Sequence, residues 1–329
     1  MARLHFEDSA YQNRDTETVL DTLLRHQVSV PYSCRNGVCL TCMLRCSEGP
    51  VPAAAQKDIR ETLRIQGCFL SCLCHPIADM TIGLPDDSLV FGRATVTAVD
   101  KLADTICRVR LLPAMPLYYH AGQFVNLHRS DGLVRSYSLA SLPRADSDLE
   151  LHVKRLPGGA MSNWIFESLV PGAALDIDGP HGGCYYLAEE SDRPLLLIGN
   201  GTGLAPLFGI ARDALASDHL EPIHLYHGTR YSDGLYLDRE LRAMATAHDN
   251  FTYVPCLSGD EVPAGCRRSR AERAAFADHS ALADWRVYLC GSPAMVNKTK
   301  KLAFLAGAAL ADICSDPFEM TDKRAVPRD

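Results

Sequence analysis

The chain has 329 residues, of which 47% are hydrophobic and 22% charged, and its 33 basic and 40 acidic side chains give a net charge of −7. This length predicts two or three domains, and the acidic balance argues against nucleic acid as a partner. No apolar stretch is long enough for a membrane span, and residues 1–8 lack the apolar core of a signal peptide. We therefore expect a cytoplasmic protein with no nucleic-acid or membrane partner.

Cysteine usage points to metal binding. The chain has 13 cysteines, and they are concentrated between Cys34 and Cys74. An odd number of clustered cysteines, without a secretion signal, indicates a reducing compartment and argues against a disulfide framework.

The first block of the chain extends to about residue 88. Residues 16–18 open a helical pattern, and a cysteine-rich loop and a second apolar stretch follow it. The polar, proline-containing segment Leu84–Ser88 predicts a linker. Four residues form the apolar face of the predicted helix: Val19, Leu20, Leu23 and Leu24.

The loop of this block carries Cys34, Cys39 and Cys42 with the spacing C-x4-C-x2-C. This is the spacing of plant-type [2Fe–2S] ligand sets, which need a fourth cysteine farther along the chain. Gly37 lets the loop turn backbone N–H groups toward the thiolates, which stabilises their charge. The loop therefore predicts a [2Fe–2S] cluster, a carrier of single electrons.

Two points stay open at this stage. A zinc site built from two cysteine pairs is the alternative, but it leaves Cys34 and Gly37 without a role. The fourth cluster ligand is also undecided, and three nearby residues are candidates: Cys68, Cys72 and Cys74.

From about residue 92 the pattern changes to period-two alternation broken by glycine and proline. Strands at this spacing predict an antiparallel barrel or sandwich, interrupted by one helix over Met161–Leu169. The predicted strands are Arg93–Val99, Ile106–Leu111, Gln123–His128 and Leu149–Lys154.

Two segments of this block fit a flavin. In Arg135-Ser136-Tyr137-Ser138 an arginine can neutralise a pyrophosphate, a ring can cover the flavin, and a hydroxyl can reach a ring nitrogen. In Val153–Ser162 two glycines allow close approach of the backbone to a phosphate at a helix start. Either segment alone is weak, because Arg-x-Tyr-Ser is common on strand surfaces, but the ordered pair is specific.

After about residue 191 strands and helices alternate, which predicts a parallel sheet with helices on both faces. The predicted strands are Leu195–Ile198, Ile223–Tyr226, Thr252–Pro255 and Val287–Cys290. The predicted helices are Pro206–Leu215, Leu237–Ala247, Ala271–Ala283 and Ala294–Gly307.

A glycine turn, Gly199–Gly203, connects the first of these strands to its helix. Such a turn can cradle a phosphate, although it is not a full G-x-G-x-x-G and no acid ends the next strand, which continues into Arg230. Cys290-Gly291 ends the last predicted strand, at the sheet edge where ligands bind. The alternative for Cys290 is a purely structural buried thiol.

In this order the four motifs resemble the ferredoxin–NADP reductase-like flavoprotein reductases that carry an N-terminal plant-type ferredoxin domain. The resemblance covers nearly the whole chain and is closest to the reductase components of naphthalene dioxygenase and salicylate hydroxylase systems. It implies a multidomain α+β and α/β fold in three parts: a β-grasp ferredoxin domain (1–88), an antiparallel β-barrel flavin domain (92–190) and a parallel-sheet nucleotide-binding domain (191–329).

The resemblance also implies site residues, and no general acid or base among them. The stretch Phe69–Pro76 selects Cys72, so that the cluster ligands are Cys34, Cys39, Cys42 and Cys72. The FAD site comprises Arg135, Ser136, Tyr137, Ser138, His152, Val153, Lys154, Gly159, Met161 and Ser162. NADH or NADPH contacts Gly201, Thr202, Gly203, Arg230, Cys290 and Gly291, and Phe318 shields the flavin.

The implied activity is electron transfer from NAD(P)H through FAD and the cluster to a Rieske-type aromatic oxygenase or to its ferredoxin. Alternatives are the reductase of a diiron monooxygenase or of a deoxysugar dehydratase, a redox sensor, and a zinc module. The surface around Arg35, Asn36 and Leu40 is the expected docking face for the acceptor. Leu40 and Asn200 depart from the family pattern, and Arg230 leaves the choice of nucleotide open.

Overall fold

The computed structural model describes residues 2–57, 59, 61–85, 92–188, 191–259 and 261–318. Part of the predicted linker Leu84–Ser88 lies outside these ranges. Three separate sheets organise the described chain. In these ranges no helix is both long and apolar enough to cross a bilayer.

The first sheet is mixed, with strand order β2-β1-β5-β3-β4, and β1 and β5 run parallel. Its helix α1 begins at a capping box in which the Thr18 hydroxyl and the Asp21 carboxylate each accept a backbone N–H of the other. The strands are β1 (Arg3–Phe6), β2 (Ser9–Gln12), β3 (Met43–Glu48), β4 (Cys68–Leu70) and β5 (Met80–Gly83). The helices are α1 (Val19–Arg25), a 3-10 turn at Ala53–Gln56 and α2 (Glu61–Ile65).

The second sheet is antiparallel throughout, in the order β10-β7-β6-β11-β8-β9. A bridge between Leu139 and Leu151 joins its two end strands, so the sheet closes into the expected barrel. The strands are β6 (Gly92–Ala103), β7 (Ile106–Pro113), β8 (Phe124–His128), β9 (Val134–Ser138), β10 (Leu149–Lys154) and β11 (Ala174–His181), and one helix, α3 (Ala160–Glu167), follows β10.

The third sheet is parallel throughout, in the order β15-β14-β13-β12-β16-β17. The chain builds outward from β12 and then crosses to β16 on its other side, which makes the β12/β16 junction the switch point where ligands bind. The strands are β12 (Leu195–Asn200), β13 (Ile223–Thr229), β14 (Phe251–Leu257), β15 (Arg267–Arg268), β16 (Arg286–Gly291) and β17 (Ile313–Pro317). The helices are α4 (Leu204–Ala216), α5 (Asp238–Ala247), α6 (Ala271–Asp278) and α7 (Pro293–Leu305), with 3-10 turns at Gly201–Gly203, Ser232–Gly234 and Leu310–Asp312.

The expected fold class is confirmed, with differences at element ends. Helix α6 stops at Asp278, whereas the periodicity predicted a helix to Ala283. Beyond α6 the backbone turns away, and the Leu282 N–H donates to the Ala306 carbonyl at 2.7 Å, at the end of α7. This tertiary contact replaces the last helical turn. Strands β9, β11 and β17 were not among the predicted strands.

The buried apolar residues form several separate cores, and one of them is shared by two of the sheets. Buried residues between Leu4 and Ile82 form one core under the first sheet. A second core combines Ile106 and Ala140 of the barrel block with residues of the parallel sheet and α4, such as Leu197 and Leu207. The barrel has an interior core of its own, and the far face of the parallel sheet has another. The barrel and the parallel sheet therefore share buried apolar surface.

Candidate functional site

A cavity of about 330 Å³ lies where the three sheets meet. Its walls come from the cysteine loop, strands β8, β9 and β10, the start of α3, the start of α4 and the end of β17. The lining residues are Ser33, Cys34, Val38, Cys39, Phe124, Arg135, Ser136, Tyr137, Ser138, His152, Lys154, Leu156, Pro157, Gly158, Gly159, Ala160, Met161, Ser162, Thr202, Ala205, Asp316, Pro317 and Phe318.

All four residues of the Arg135–Ser138 segment lie on this cavity, at the end of β9. The Ser138 hydroxyl donates to Asp316 Oδ2 at 2.9 Å, which ties β9 to the end of β17. Burial raises the pKa of Asp316 to about 6, against the opposing effect of the Ser138 hydrogen bond. The cavity therefore has a titratable carboxyl beside the serine that was expected to approach the flavin.

The start of helix α3 forms the opposite wall. Gly158 has a φ of +68°, and the N-cap residue Gly159 makes no side-chain capping bond, so the first N–H groups of the helix stay available. A Cβ at Gly159 would lie 2.5 Å from Ser162 Oγ, which itself accepts the Leu156 N–H at 3.1 Å. This glycine cradle and its N–H donors fit a phosphate group.

The four expected cluster ligands come together as two pairs. The Cys39 N–H donates to Cys34 Sγ at 3.3 Å, and the Cys34 N–H donates to Cys39 Sγ at 3.4 Å. A hydrogen bond with Cys72 raises the pKa of Cys42 well above its usual value. All four side chains are buried. Two pairs suit a two-iron cluster with four thiolate ligands.

Backbone donors surround the first pair. The Cys39 thiol, and then the N–H groups of Asn36, Cys39 and Val38, lower the pKa of Cys34 to about 5. The loop reaches this geometry through left-handed residues, and a Cβ at Gly37 would lie 2.3 Å from Leu73 Cδ1. The expected role of Gly37, to turn N–H groups toward sulfur, agrees with these contacts.

Cys74 is turned elsewhere. Burial, and then the nearby Cys46, raise the pKa of Cys74 to about 12. Within the described part of the chain, no three Cys, His, Asp or Glu side chains are close enough to hold one metal ion.

The expected docking face changes in one respect. Leu40 is 5% exposed and belongs to the first core, so its inclusion in that face was wrong. Its φ of +56° is unusual for a leucine. Arg35 is partly exposed and reaches Asp21 of α1 at 2.6 Å, and Asn36 is exposed.

The glycine turn lies at the β12/β16 switch point, next to the cavity. A Cβ at Gly203 would come within 2.2 Å of the Cys290 carbonyl oxygen, so the two segments touch through their backbones. The buried Cys290 and Cys184 sulfurs are 3.7 Å apart, and burial raises the pKa of Cys290. Phe318 is anchored here, because its N–H donates to the Gly291 carbonyl at 2.7 Å.

Some expected residues do not line the cavity itself. Arg230 is exposed beyond β13, with its guanidinium 5.2 Å from the centre of the Tyr231 ring. Val153 is buried in the barrel interior. Six others are not among the lining residues: Cys42, Cys72, Gly201, Gly203, Cys290 and Gly291.

A buried polar chain that the sequence did not predict connects the barrel with the glycine turn. His152 Nε2 donates to Glu150 Oε1 at 2.9 Å, and Tyr236 donates to His152 Nδ1 at 3.2 Å. The ring of His227 packs against the Tyr236 ring, and its Nε2 donates to the Gly201 carbonyl at 3.1 Å. Burial lowers the pKa of His227 to about 4, which keeps it neutral at pH 7.

Asp316 was missed as well, although it lies two residues before Phe318, which was expected in the site. A short acid-proline-aromatic run after a strand was the available signal. His152 was expected in the site, but its polar chain had no such signal, because Glu150 and His152 lie on β10 whereas Tyr236 and His227 come from a distant part of the chain.

Three family comparisons divide the chain in the same order as the three sheets. Residues 6–76 match the 2Fe-2S iron–sulfur cluster binding domain, residues 95–186 the oxidoreductase FAD-binding domain, and residues 197–301 the oxidoreductase NAD-binding domain. A relative from Ralstonia sp., the reductase component of naphthalene 1,2-dioxygenase/salicylate 5-hydroxylase systems, is 35% identical over 92% of this chain and 93% of its own. The chain belongs to this family of iron–sulfur flavoprotein reductases. Its cofactors are a [2Fe–2S] cluster, FAD and NAD(P)H.

Other members differ in the system that they serve. The reductase subunit of an aromatic O-demethylase from Amycolatopsis sp. is 38% identical over 85% of this chain and 87% of its own. A CDP-6-deoxy-L-threo-D-glycero-4-hexulose-3-dehydrase reductase from Yersinia pestis is 28% identical over 96% of this chain and 97% of its own. The family is therefore shared by reductases of different acceptors.

Solved structures agree with the fold over nearly the full length. The crystal structure of the Amycolatopsis cytochrome P450 reductase GcoB matches with a TM-score of 0.70 and 34% identity, over 97% of this chain and 99% of that one. The ferredoxin reductase in carbazole 1,9a-dioxygenase matches with a TM-score of 0.66 and 26% identity, over 97% and 98%.

Proposed function

We propose that this chain is the NAD(P)H-dependent reductase component of an aromatic-oxidising oxygenase system. The observation that supports it most is the single cavity that a cluster ligand pair, the Arg135–Ser138 segment and Thr202 of the glycine turn all line. The sites for the hydride donor, for the flavin and for the iron–sulfur cluster would thus meet at one cavity. When bound, FAD would supply the conversion of a hydride from NAD(P)H into single electrons.

In this proposal the flavin lies along β9. Arg135 and the first N–H groups of α3 hold its pyrophosphate, Tyr137 covers the ring system, and Ser138 reaches the reactive nitrogen. Phe318 covers the other face of the ring from the end of β17. The remaining flavin contacts come from Ser136, His152, Val153, Lys154, Gly159, Met161 and Ser162.

The nucleotide would dock at the switch point, where its phosphates meet the glycine turn and its nicotinamide meets Cys290. The touching backbones of Gly203 and Cys290 support this placement, because any side chain on Gly203 would push the two segments apart. Arg230, Gly201, Thr202 and Gly291 complete the proposed contacts.

The proposed cluster ligands are Cys34 and Cys39 as one pair and Cys42 and Cys72 as the other. The Cys42–Cys72 hydrogen bond supports Cys72 over Cys74, which faces Cys46. We also propose the three domains 1–88, 92–190 and 191–329, and a reducing, cytoplasmic compartment, which the 13 free cysteines support.

The proposed acceptor is a Rieske-type aromatic-ring-hydroxylating oxygenase, or the small ferredoxin that serves it. The Ralstonia relative supports this choice. A cytochrome P450 that removes aromatic O-methyl groups is the second candidate, since the chain is 34% identical to the Amycolatopsis cytochrome P450 reductase GcoB and 38% identical to the reductase subunit of an aromatic O-demethylase. The reductase of a diiron monooxygenase or of a deoxysugar dehydratase remains a weaker alternative.

An anaerobic NADH titration, followed by visible and EPR spectra, tests the electron route. We expect the flavin absorbance to bleach together with the appearance of the rhombic EPR signal of a reduced [2Fe–2S] cluster. Failure of NADH to reduce either centre would overturn the proposal. The acceptor is tested separately, by NADH consumption in the presence of a purified Rieske oxygenase or a purified P450.

A further inference from the structure

The barrel and the cysteine loop are joined by a buried amide. The Nδ2 group of Asn126, on β8, donates to the backbone carbonyl of Cys39 at 2.9 Å. The Oδ1 atom of the same side chain accepts the Ser136 hydroxyl at 2.6 Å. Asn126 is 0% exposed, so these contacts are shielded from water. Two hydrogen bonds and one side chain thus connect a cluster-loop cysteine with the Arg135–Ser138 segment.

The orientation of this amide follows from chemistry. Nδ2 also donates to Asp178 Oδ1 at 3.0 Å, so both groups that face it, a carbonyl and a carboxylate, are acceptors. The opposite orientation would set the amide oxygen against two acceptors. Both donors of the Asn126 amide and its oxygen are therefore used, and only Asn or Gln has this combination of groups in its side chain.

Two histidines, His128 and His181, contact the Asp178 carboxylate in turn. His128 Nε2 lies 2.5 Å from Asp178 Oδ2, and His181 contacts the other carboxylate oxygen. Burial alone would raise the pKa of Asp178, but the hydrogen bonds with His128 and His181 outweigh it and bring it to about 2. The carboxylate stays charged and holds the amide from the side away from the cysteine loop.

The position of Asn126 on its strand is unusual for a barrel. Along β8 the side chains of Phe124, Asn126 and His128 point to one face, and those of Val125 and Leu127 to the barrel interior. An asparagine on the outer face of a strand would ordinarily meet water. Here the loop that carries Cys39 covers it.

We propose that Asn126 is a positioning residue for electron transfer, which holds the Cys39 side of the cluster loop against the flavin site and connects the two through Ser136. This inference rests on the proposed function. Each transfer moves one electron: one ferric iron of the cluster becomes ferrous as the reduced flavin loses one electron. Two such transfers per NADH, with the cluster reoxidised by the proposed acceptor between them, would return the flavin to its oxidised state and release one proton to solvent.

Two variants test the role of the amide. Asn126→Ala removes all three hydrogen bonds, whereas Asn126→Asp keeps an acceptor for Ser136 but sets oxygen against the Cys39 carbonyl. His128→Gln is the matched control, because it alters the same buried network and leaves the Asn126–Cys39 bond in place. If Asn126→Ala does not fold, Asn126→Asp alone tests the role of the amide.

Stopped-flow absorbance separates the two electron-transfer steps. In both Asn126 variants we expect NADH to reduce the flavin at close to the wild-type rate, while cluster reduction slows severalfold, because the distance between the cluster loop and the flavin site is no longer fixed by the amide. In His128→Gln, which weakens only the contact that fixes Asp178, flavin reduction should stay close to wild type and cluster reduction should slow much less than in either Asn126 variant. Equal slowing of both steps would indicate general loosening and would overturn the proposal.

Amide hydrogen exchange gives a readout without turnover. In the oxidised protein without NADH, residues 33–42 should exchange faster in both Asn126 variants than in the wild type or in His128→Gln. If the variants showed unchanged amide exchange and wild-type cluster reduction, the role of Asn126 would be overturned and the proposed function would stand. If NADH does not reduce the wild-type cluster, the proposed function fails, and the exchange experiment still decides whether Asn126 positions the loop.

Discussion

Two outward faces of the barrel meet two different neighbours. On β10, Glu150 and His152 are buried against Tyr236 of the nucleotide block, and around them the barrel shares an apolar core with the parallel sheet. On β8, Asn126 is buried against the cysteine loop through a polar contact. The first sheet has its own core, formed between Leu4 and Ile82.

This difference matches the two kinds of transfer that the proposed function requires. A hydride moves only between groups in contact, so donor and acceptor must be held together rigidly, and a shared core does this. Transfer of a single electron needs a fixed distance between the two centres but no direct contact. A few directional hydrogen bonds can fix that distance. The nucleotide side is thus held by packing, and the cluster side by polar contacts.

The largest expected effect is on the cluster side. Cys72→Ser should remove the cluster iron and its EPR signal and abolish NADH-driven cytochrome c reduction, because one of four thiolate ligands is lost. Ferricyanide reduction, which the flavin can support, should persist. Cys74→Ser is the matched control and should keep its iron. If Cys74→Ser loses the cluster and Cys72→Ser retains it, the ligand assignment is wrong.

On the nucleotide side, Gly203→Ala should act almost as strongly. The new Cβ would lie 2.2 Å from the Cys290 carbonyl oxygen and force the turn away from β16. We expect kcat/KM for NADH to fall about a hundredfold, as for a misplacement of about 1 Å, with FAD content and the dithionite-reduced EPR signal unchanged. Gly183→Ala, which meets no atom within 4 Å, should behave as wild type. A change in the EPR signal would show that the two sides are not independent.

The pH dependence of stability should have opposite signs on the two sides. Asp178, with a pKa lowered to about 2, has lost a proton in the folded chain that the unfolded chain still holds between about pH 2 and 4. The free energy of unfolding therefore falls by about 2 kcal/mol as pH drops through that window. Asp316, with a pKa raised to about 6, keeps a proton that the unfolded chain has lost above about pH 4.

The contribution of Asp316 to the free energy of unfolding consequently falls as pH rises from about 4 to 6. The fall is about 2 kcal/mol after allowance for the partial exposure of this side chain. Urea unfolding of the wild type, Asp178→Asn and Asp316→Asn between about pH 2 and 8 measures both. Asp316→Asn should remove the decline between pH 4 and 6. If that decline persists in Asp316→Asn, another group causes it.

The smallest expected effect comes from the polar chain. Tyr236→Phe removes one hydrogen bond to His152 and should lower the free energy of unfolding by about 1 kcal/mol, with KM for NADH changed less than about threefold. Thermal unfolding and steady-state kinetics measure the two quantities. Tyr118→Phe, at a side chain that is 90% exposed, should change neither. A large KM change in Tyr236→Phe would mean that the polar chain positions the nucleotide more directly than packing does.

The three-part fold could be predicted because its signals are local. Period-two strands, βαβ alternation and the loop of Cys34, Cys39 and Cys42 each lie within a short stretch of chain. The preference for Cys72 stays a prediction, which the contact with Cys42 supports. The end of α6 could not be predicted, because the Leu282–Ala306 hydrogen bond comes from a helix that lies later in the chain.

The missed site residues share one physical reason. Alternation on β8 and β10 predicts polar residues that face water, but Asn126 and Glu150 are buried because other parts of the chain cover these faces. A single sequence predicts on which face of a strand a side chain lies, but it does not predict which other part of the chain covers that face. Asp316 was missed for the same reason, since its partner Ser138 is 178 positions away.

The separate core of the first sheet also bears on how such chains arise by recombination. A unit that buries its apolar side chains within residues 4–82 can be gained, moved to another position or replaced without exposing the core of its host. A crossover between β10 and β12 would instead cut through a core to which both sides contribute. Gene fusion can therefore exchange the electron exit as a cassette, whereas the barrel and the parallel sheet are inherited together.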